Sequence, residues 1–271
     1  MVRPPTAVRL SKAQAYGNDF LLMAASAAAG IEDLADLARR ACDRHRGIGA
    51  DGLMLLDETT GGAATRLFNA DGSDAELSGN GSRAVAAWLA EARGLRPGAT
   101  LTIDTAAGPR PHELLEVVGH RYTLRADMGV PTDVRRERII LDTGPIDAVV
   151  LNMGNPQCVV LGPATEERLH AIGPRLAAHP LFPNGTNVEL ASVETPHRVR
   201  ILIWERGVGP TEASGTGACA AAVAAATAGG SQRSVEVVSP GGTQRVEWTD
   251  EAVWLTGWAE LVASVEWLLP P

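Results

Sequence analysis

The chain has 271 residues, 45% hydrophobic and 21% charged, enough for a sizeable core in one large or two ordinary domains. A net charge of −8 argues against nucleic acid or an anionic membrane as the main partner. Cys42, Cys158 and Cys219 are too few for a disulfide framework and lack metal-ligand spacing, which suits a reducing cytoplasm.

Met1 to Lys12 has no apolar stretch of the signal-peptide kind. Ile31, Leu34, Leu37, Ala38 and Ala41 recur at helical spacing, and Gly47 ends the run. Leu53 to Leu56 reads as a strand. Ser78-Gly79-Asn80-Gly81 opens an Ala-rich helix over 83–92. Glu166 to Ala178 carries Leu169, Ile172 and Leu176, and Gly173-Pro174 is expected to break it into two turns. Val199 to Trp204 is an apolar, β-branched strand. Ser214-Gly215-Thr216-Gly217 then opens a second Ala-rich helix over 218–228, too short to span a bilayer.

These elements repeat. The two SGxG strings lie 136 residues apart, and Gly49-Ala50-Asp51-Gly52-Leu53 answers Gly185-Thr186-Asn187-Val188-Glu189 at the same offset. Tyr16-Gly17-Asn18-Asp19-Phe20 answers Met153-Gly154-Asn155-Pro156-Gln157 at 137. Three matches in order at half the chain length predict an α/β (α+β) fold of two duplicated, pseudo-symmetric domains. The expected domains are 1–123 and 124–271, with the last strand able to cross back to the first. Each Ala-rich helix is expected at a domain centre, wrapped by strands, because small side chains all round favour burial.

Ser78 and Ser214 stand at helix entries, where serine is a favoured N-cap. The glycines after them let backbone N–H groups approach a ligand, and a helix N-terminus attracts anions. Two such ends facing one cleft would hold a carboxylate and flank its neighbouring carbon on both sides. A dinucleotide site is the competing reading. Gly47-Ile48-Gly49-Ala50-Asp51-Gly52 follows a helix and precedes a strand, the reverse of the required context. The string at Gly215 stands about ten residues from the end of its strand, where a tight turn is needed. Asn18, Asn69, Asn155 and Asn187 recur beside glycines, as turn formers or as adaptable hydrogen-bonding groups lining a cleft. Arg206 suits a bidentate grip on a carboxylate.

Taken together, the runs Gly17-Asn18-Asp19-Phe20, Asp43 to Gly52, Phe68 to Ser73, Gly79-Asn80-Gly81, Met153 to Pro156, His179 to Val188, Glu205-Arg206-Gly207 and Gly215 to Ala220 resemble the diaminopimelate epimerase family over nearly the whole chain. The resemblance implies an isomerase of amino acids that needs no pyridoxal phosphate and no metal, and works as a homodimer. In such enzymes two cysteines face the α-carbon from opposite sides, one removing a proton and the other returning one. It further implies that Asn18, Asn69, Asn155, Asn187 and Arg206 hold the distal end of the substrate. The backbone of Gly79-Asn80 and Gly215-Thr216 would hold the reacting carboxylate, with Glu205 partnering the second catalytic residue.

Three positions depart from that pattern. Ser78 and Ser214 replace the two cysteines, and Gln157, in the substrate-binding group, replaces the histidine paired with the first. A serine hydroxyl needs an adjacent base, whereas a thiol's acidity can be brought near neutrality. Two-thiol epimerisation is therefore expected to be absent or very slow, with Glu205 moving the proton and Ser214 assisting. Three readings stay open: an isomerase with altered chemistry, an amino-acid-binding pseudoenzyme, or an inactivated variant of an authentic epimerase.

Overall fold

Twice along the chain, two parallel strands are bridged by an amphipathic helix and followed by a helix of small residues. The structure, a computed structural model, describes residues 7–75, 79–106 and 108–269. The chain divides into two units: residues up to Ala126 with those from Trp258 onward, and Asp127–Gly257. The end of the expected second domain is thus counted with the first.

In the first unit β1 (Ala7–Ala15) pairs antiparallel with β2 (Asn18–Ala24). Helix α1 (Leu34–Cys42) then crosses to β3 (Gly52–Thr59), which is parallel to β2. β4 (Gly62–Asn69) returns antiparallel, followed by the short β5 (Asp74–Ala75) and helix α2 (Gly79–Ala92). β6 (Thr100–Thr105) runs parallel to β4 and continues into the meander β7 (Gly108–Val118) and β8 (Arg121–Asp127). Residues Glu260 to Leu268 of the last strand close the unit against β1.

The second unit repeats the plan. β9 (Thr132–Leu141), β10 (Gly144–Asn152) and β11 (Pro156–Leu161) are antiparallel neighbours. Helix α3 (Glu166–Ala177) crosses to β12 (Asn187–Thr195), parallel to β11. β13 (Arg198–Glu205), β14 (Gly209–Thr211), helix α4 (Gly215–Ala224), β15 (Ser234–Ser239) and β16 (Gly242–Trp248) follow, with β15 parallel to β13. The first residues of β17 (Val253–Leu268) pair with β16.

Local chemistry explains the helices. The Asp33 side chain caps α1 by accepting from the Asp36 N–H at 2.8 Å, and Leu37, Ala38, Ala41 and Cys42 form its buried stripe. Thr165 caps α3 in the same way. α4 buries all ten of its residues, as an Ala-rich core helix must, and α2 buries nearly all of its first three turns. Both start earlier than the Ala-rich runs suggest, because the SGxG glycines form their first turns.

The Gly173-Pro174 pair does not break α3, contrary to expectation: the helix is continuous through it. Pro174 falls in the last turns, where one lost N–H bond costs little cooperativity, and its carbonyl still accepts from the Ala178 N–H. Gly173 serves packing instead. A Cβ there would come within 3.2 Å of the Trp204 side chain, and buried Leu169, Ile172 and Leu176 hold the helix to the sheet. Among the described residues, no helix is long and apolar enough to cross a membrane.

Candidate active-site residues

Each unit builds a polar cluster at the start of its core helix. In the first, a left-handed turn at Tyr16 and Gly17, with φ of 57° and 88°, delivers Asn18 to the start of β2. Asn18 Nδ2 donates to Asp51 Oδ2 at 2.7 Å, and Asn80 Nδ2, on the first turn of α2, donates to Asn18 Oδ1 at 3.4 Å. Asp51 also accepts from the Asp19 N–H at 3.0 Å and from Arg44 at 2.8 Å.

Behind Asn18, Asp19 is 7% exposed and accepts from both Arg44 Nη atoms, at 2.7 and 3.1 Å. It also lies 2.9 Å from Lys12 Nζ. Burial alone would raise the Asp19 carboxyl, but the Arg44 and Lys12 bonds outweigh it and hold the group below the usual carboxylate range. This ion network fixes the loop from which Asn18 projects.

Asn69 is the exposed last residue of β4, and its Nδ2 donates to Ser73 Oγ across the following turn at 2.9 Å. Gly79 and Asn80 are buried at the start of α2, and Arg83, fully buried, donates to Asn80 Oδ1 at 3.3 Å. His112, also fully buried, lies 3.3 Å from Ser82 Oγ; burial holds its imidazole down at about 4, hence neutral. Ser78 lies outside the described residues.

The second cluster repeats the first with different residues. Left-handed Gly154, φ 88°, delivers Asn155, whose Nδ2 donates to Thr216 Oγ1 on the first turn of α4 at 3.4 Å. The Asn18–Asn80 bond thus recurs one repeat later as Asn155–Thr216. Gln157 is fully buried behind Asn155, to whose Oδ1 its Nε2 donates at 2.5 Å. Ser214 is the N-cap of α4: its Oγ accepts from the Gly217 N–H at 3.2 Å and lies 3.5 Å from Thr216 Oγ1. Gly215 and Thr216 are buried beside it.

Asn187 and Arg206 meet at the strand ends. Asn187 Oδ1 accepts from the Arg206 N–H at 2.9 Å, and the exposed Arg206 guanidinium donates to the Asn184 carbonyl at 2.9 Å. Glu205 ends β13, with its backbone carbonyl accepting from the Val208 N–H.

One group that the motifs did not single out dominates the electrostatics. In the sheet register Val159 stands opposite Glu189, Glu189 opposite Ile203, and Gln157 opposite Asn187. Strand alternation therefore puts Gln157, Glu189 and Glu205 on one face, while Cys158, Val188, Leu190, Leu202 and Trp204 pack on the other with α3. Glu189 is fully buried, and neither carboxyl oxygen has a hydrogen-bond partner. Burial and, secondarily, the negative charge of Glu205 push its carboxyl well above the ordinary range. Its sequence signal was a lone carboxylate at an inward position of the apolar strand Asn187-Val188-Glu189-Leu190-Ala191. Asp19, Arg44 and Asp51 stood inside recognised runs without a role, because only folding shows that they meet.

The cluster in the second unit offers helix amides with a positive dipole end, a capping hydroxyl and a buried carboxyl of raised pKa, a set suited to an acid group and to proton transfer beside it.

Comparison with known proteins gives a consistent picture. The family model described as Diaminopimelate epimerase matches residues 10–134 and 149–262. The diaminopimelate epimerase of Desulforudis audaxviator is 42% identical, over 96% of this chain and 99% of that protein. That of Moorella thermoacetica is 40% identical, over 91% and 94%. Among solved structures, a hydroxyproline epimerase from Agrobacterium vitis superposes with a TM-score of 0.73 at 17% identity, covering 100% of this chain and 95% of that one. A probable proline racemase from Agrobacterium radiobacter gives 0.75 at 15% identity, covering 97% and 94%. At such identities these two structures speak to the fold alone.

Proposed function

Because the chain belongs to the diaminopimelate epimerase family, we propose that it is a cofactor-independent isomerase acting at the α-carbon of diaminopimelate or a closely related amino acid. The observation that carries this reading is the duplicated contact, Asn18 to Asn80 and Asn155 to Thr216, which sets an amide against the start of each core helix. In this reading the backbone N–H groups at the helix starts, around Gly79-Asn80 and Gly215-Thr216, take the reacting carboxylate. Asn18, Asn69, Asn155, Asn187 and Arg206 recognise the distal amino-acid end, and Gln157 orients Asn155.

Catalysis falls to Ser78, Ser214 and Glu205. A hydroxyl in place of a thiol is a far weaker acid and needs a base to act. Glu205 is the carboxylate assigned to move the α-proton, with Ser214 assisting. Such chemistry favours solvent exchange, tautomerisation or slow isomerisation over rapid two-thiol epimerisation. We further propose that the enzyme acts in the cytoplasm as a homodimer, a reading supported by the family resemblance.

A binding-only role is the second reading, favoured by one contact: the Ser214 hydroxyl is committed to capping α4. Incubation with diaminopimelate in deuterated water separates the two, with α-proton exchange and stereochemistry both followed. The catalytic reading expects exchange by the protein as it stands, abolished by Glu205→Gln. Binding without exchange overturns it. The double variant Ser78→Cys, Ser214→Cys then reports whether thiols restore full epimerisation.

A further inference from the structure

A carboxyl buried without a partner costs about 1–3 kcal/mol or more, so a native structure that keeps one calls for a reason. Glu189 is such a group, and its surroundings supply the reason. Gly217 lacks a side chain where one would collide with it: a Cβ at Gly217 would lie 2.7 Å from Glu189 Oε1. The same point lies 3.2 Å from both Ser214 Cβ and Ser214 Oγ. The carboxyl and the capping hydroxyl thus flank one small gap on the first turn of α4. A second orphan lies on the same sheet face as Glu189, the Gln157 Oε1 acceptor, which is likewise buried and unpartnered.

We propose that Glu189 is the proton-holding partner of Ser214, a positioning residue that touches no substrate and acts through the serine hydroxyl. This rests on the isomerase reading above and adds to it a second carboxyl beside Ser214, a proton store distinct from Glu205. In the protonating direction the Ser214 Oγ–H bond breaks and its proton forms a new C–H bond with the electron pair on the substrate carbon. At the same time the two groups, not hydrogen-bonded to each other at rest, close the gap at Gly217: the Glu189 O–H bond breaks and its proton passes to Ser214 Oγ, leaving Glu189 as a carboxylate. The reverse transfer restores both groups.

The titratable group on the same sheet face nearest Glu189 in register is Glu205, two residues beyond its β13 partner Ile203. Cys158 on β11 points to the opposite face, and α4 presents Gly217 to it. Burial and, secondarily, the like charge of Glu205 raise the Glu189 carboxyl well above its ordinary range and so favour its proton-filled form.

Two readouts on the whole protein test this. The first is independent of catalysis: the infrared carbonyl band of a protonated carboxylic acid, present near neutral pH, shifted in deuterated water and missing in Glu189→Gln. Its titration midpoint is expected to move in Ser214→Ala. Absence of the band, or a midpoint indifferent to Ser214→Ala, overturns the proposal whatever the protein catalyses. The second is exchange of the α-proton: Glu189→Gln is expected to lower its rate by roughly 10²–10⁴-fold, the usual worth of one general acid–base group, with KM little changed and the rate's dependence on pH flattened. An unchanged rate and pH profile in Glu189→Gln overturns it. If the protein exchanges nothing but the band behaves as expected, the isomerase reading fails while the Glu189–Ser214 coupling stands.

Discussion

Replacing Glu189 by glutamine should make the protein's stability less sensitive to pH, and the size of the effect follows from proton counting. The side chain has no exposed surface and no hydrogen-bond partner, and burial raises its folded-state pKa well above the ordinary 4.5. Below that unfolded-state value both states hold the proton, and the stability linked to Glu189 is fully present. Above it the unfolded chain releases the proton while the native protein keeps it, so that stability is lost as pH rises towards the folded-state value. For one proton the slope is about 1.4 kcal/mol per pH unit. Glutamine is nearly isosteric and does not titrate, so the variant lacks this slope. Other titrating groups, such as Asp19 and His112, are common to both proteins and cancel in the difference. Urea denaturation of both proteins at pH 5.5, 6.5 and 7.5 is the assay. The stability of Glu189→Gln relative to the parent should climb by about 1.4 kcal/mol per unit until the native carboxyl ionises. Parallel curves across this range would refute the buried, protonated state of Glu189.

Other outcomes follow from neighbouring features. Gly217→Ala should destabilise by about 1–3 kcal/mol through overpacking, despite a gain of about 1 kcal/mol in helix propensity. In a Glu189→Ala background that penalty should shrink or vanish, which a double-mutant cycle by denaturation would measure. Arg44→Ala removes both guanidinium bonds to Asp19 and the bond to Asp51; because Arg44 is half exposed, a loss of about 1–3 kcal/mol is expected. Since Arg44 helps hold Asp19 below its ordinary value, stability linked to Asp19 is present above that value and lost as pH falls through the folded one. The variant should show a smaller acid loss. Native protein treated with iodoacetamide at neutral pH should keep all three thiols, as Cys42, Cys158 and Cys219 are buried. Burial pushes Cys42 up to about 12 and Cys158 also upward; mass spectrometry would read the result.

Read from sequence, the duplication was visible because its marks are local. Left-handed turns call for glycine at Gly17 and Gly154, core helices call for small side chains, and both recur at one offset. The amides Asn18 and Asn155 could be picked out for the same reason, since each stands directly after such a glycine. The unbroken α3 was not legible, because packing of Gly173 against Trp204 overrides the breaking tendency of the Gly-Pro pair. Nor was the Lys12, Arg44, Asp19 and Asp51 network, whose members are brought together by strand pairing between β1, β2 and β3.

What the sequence determined by itself was the repeated plan and the two helix entries, because turn chemistry and periodicity act between near neighbours. What only the tertiary structure decided was the state of each ionisable group. Glu189 and Glu194 are both glutamates of one strand, yet burial raises the first while bonds from Arg200 and Arg198 lower the second. Dehydration and the identity of the facing charge are set by residues distant in the chain, so they exist only once the sheet has closed over its helix.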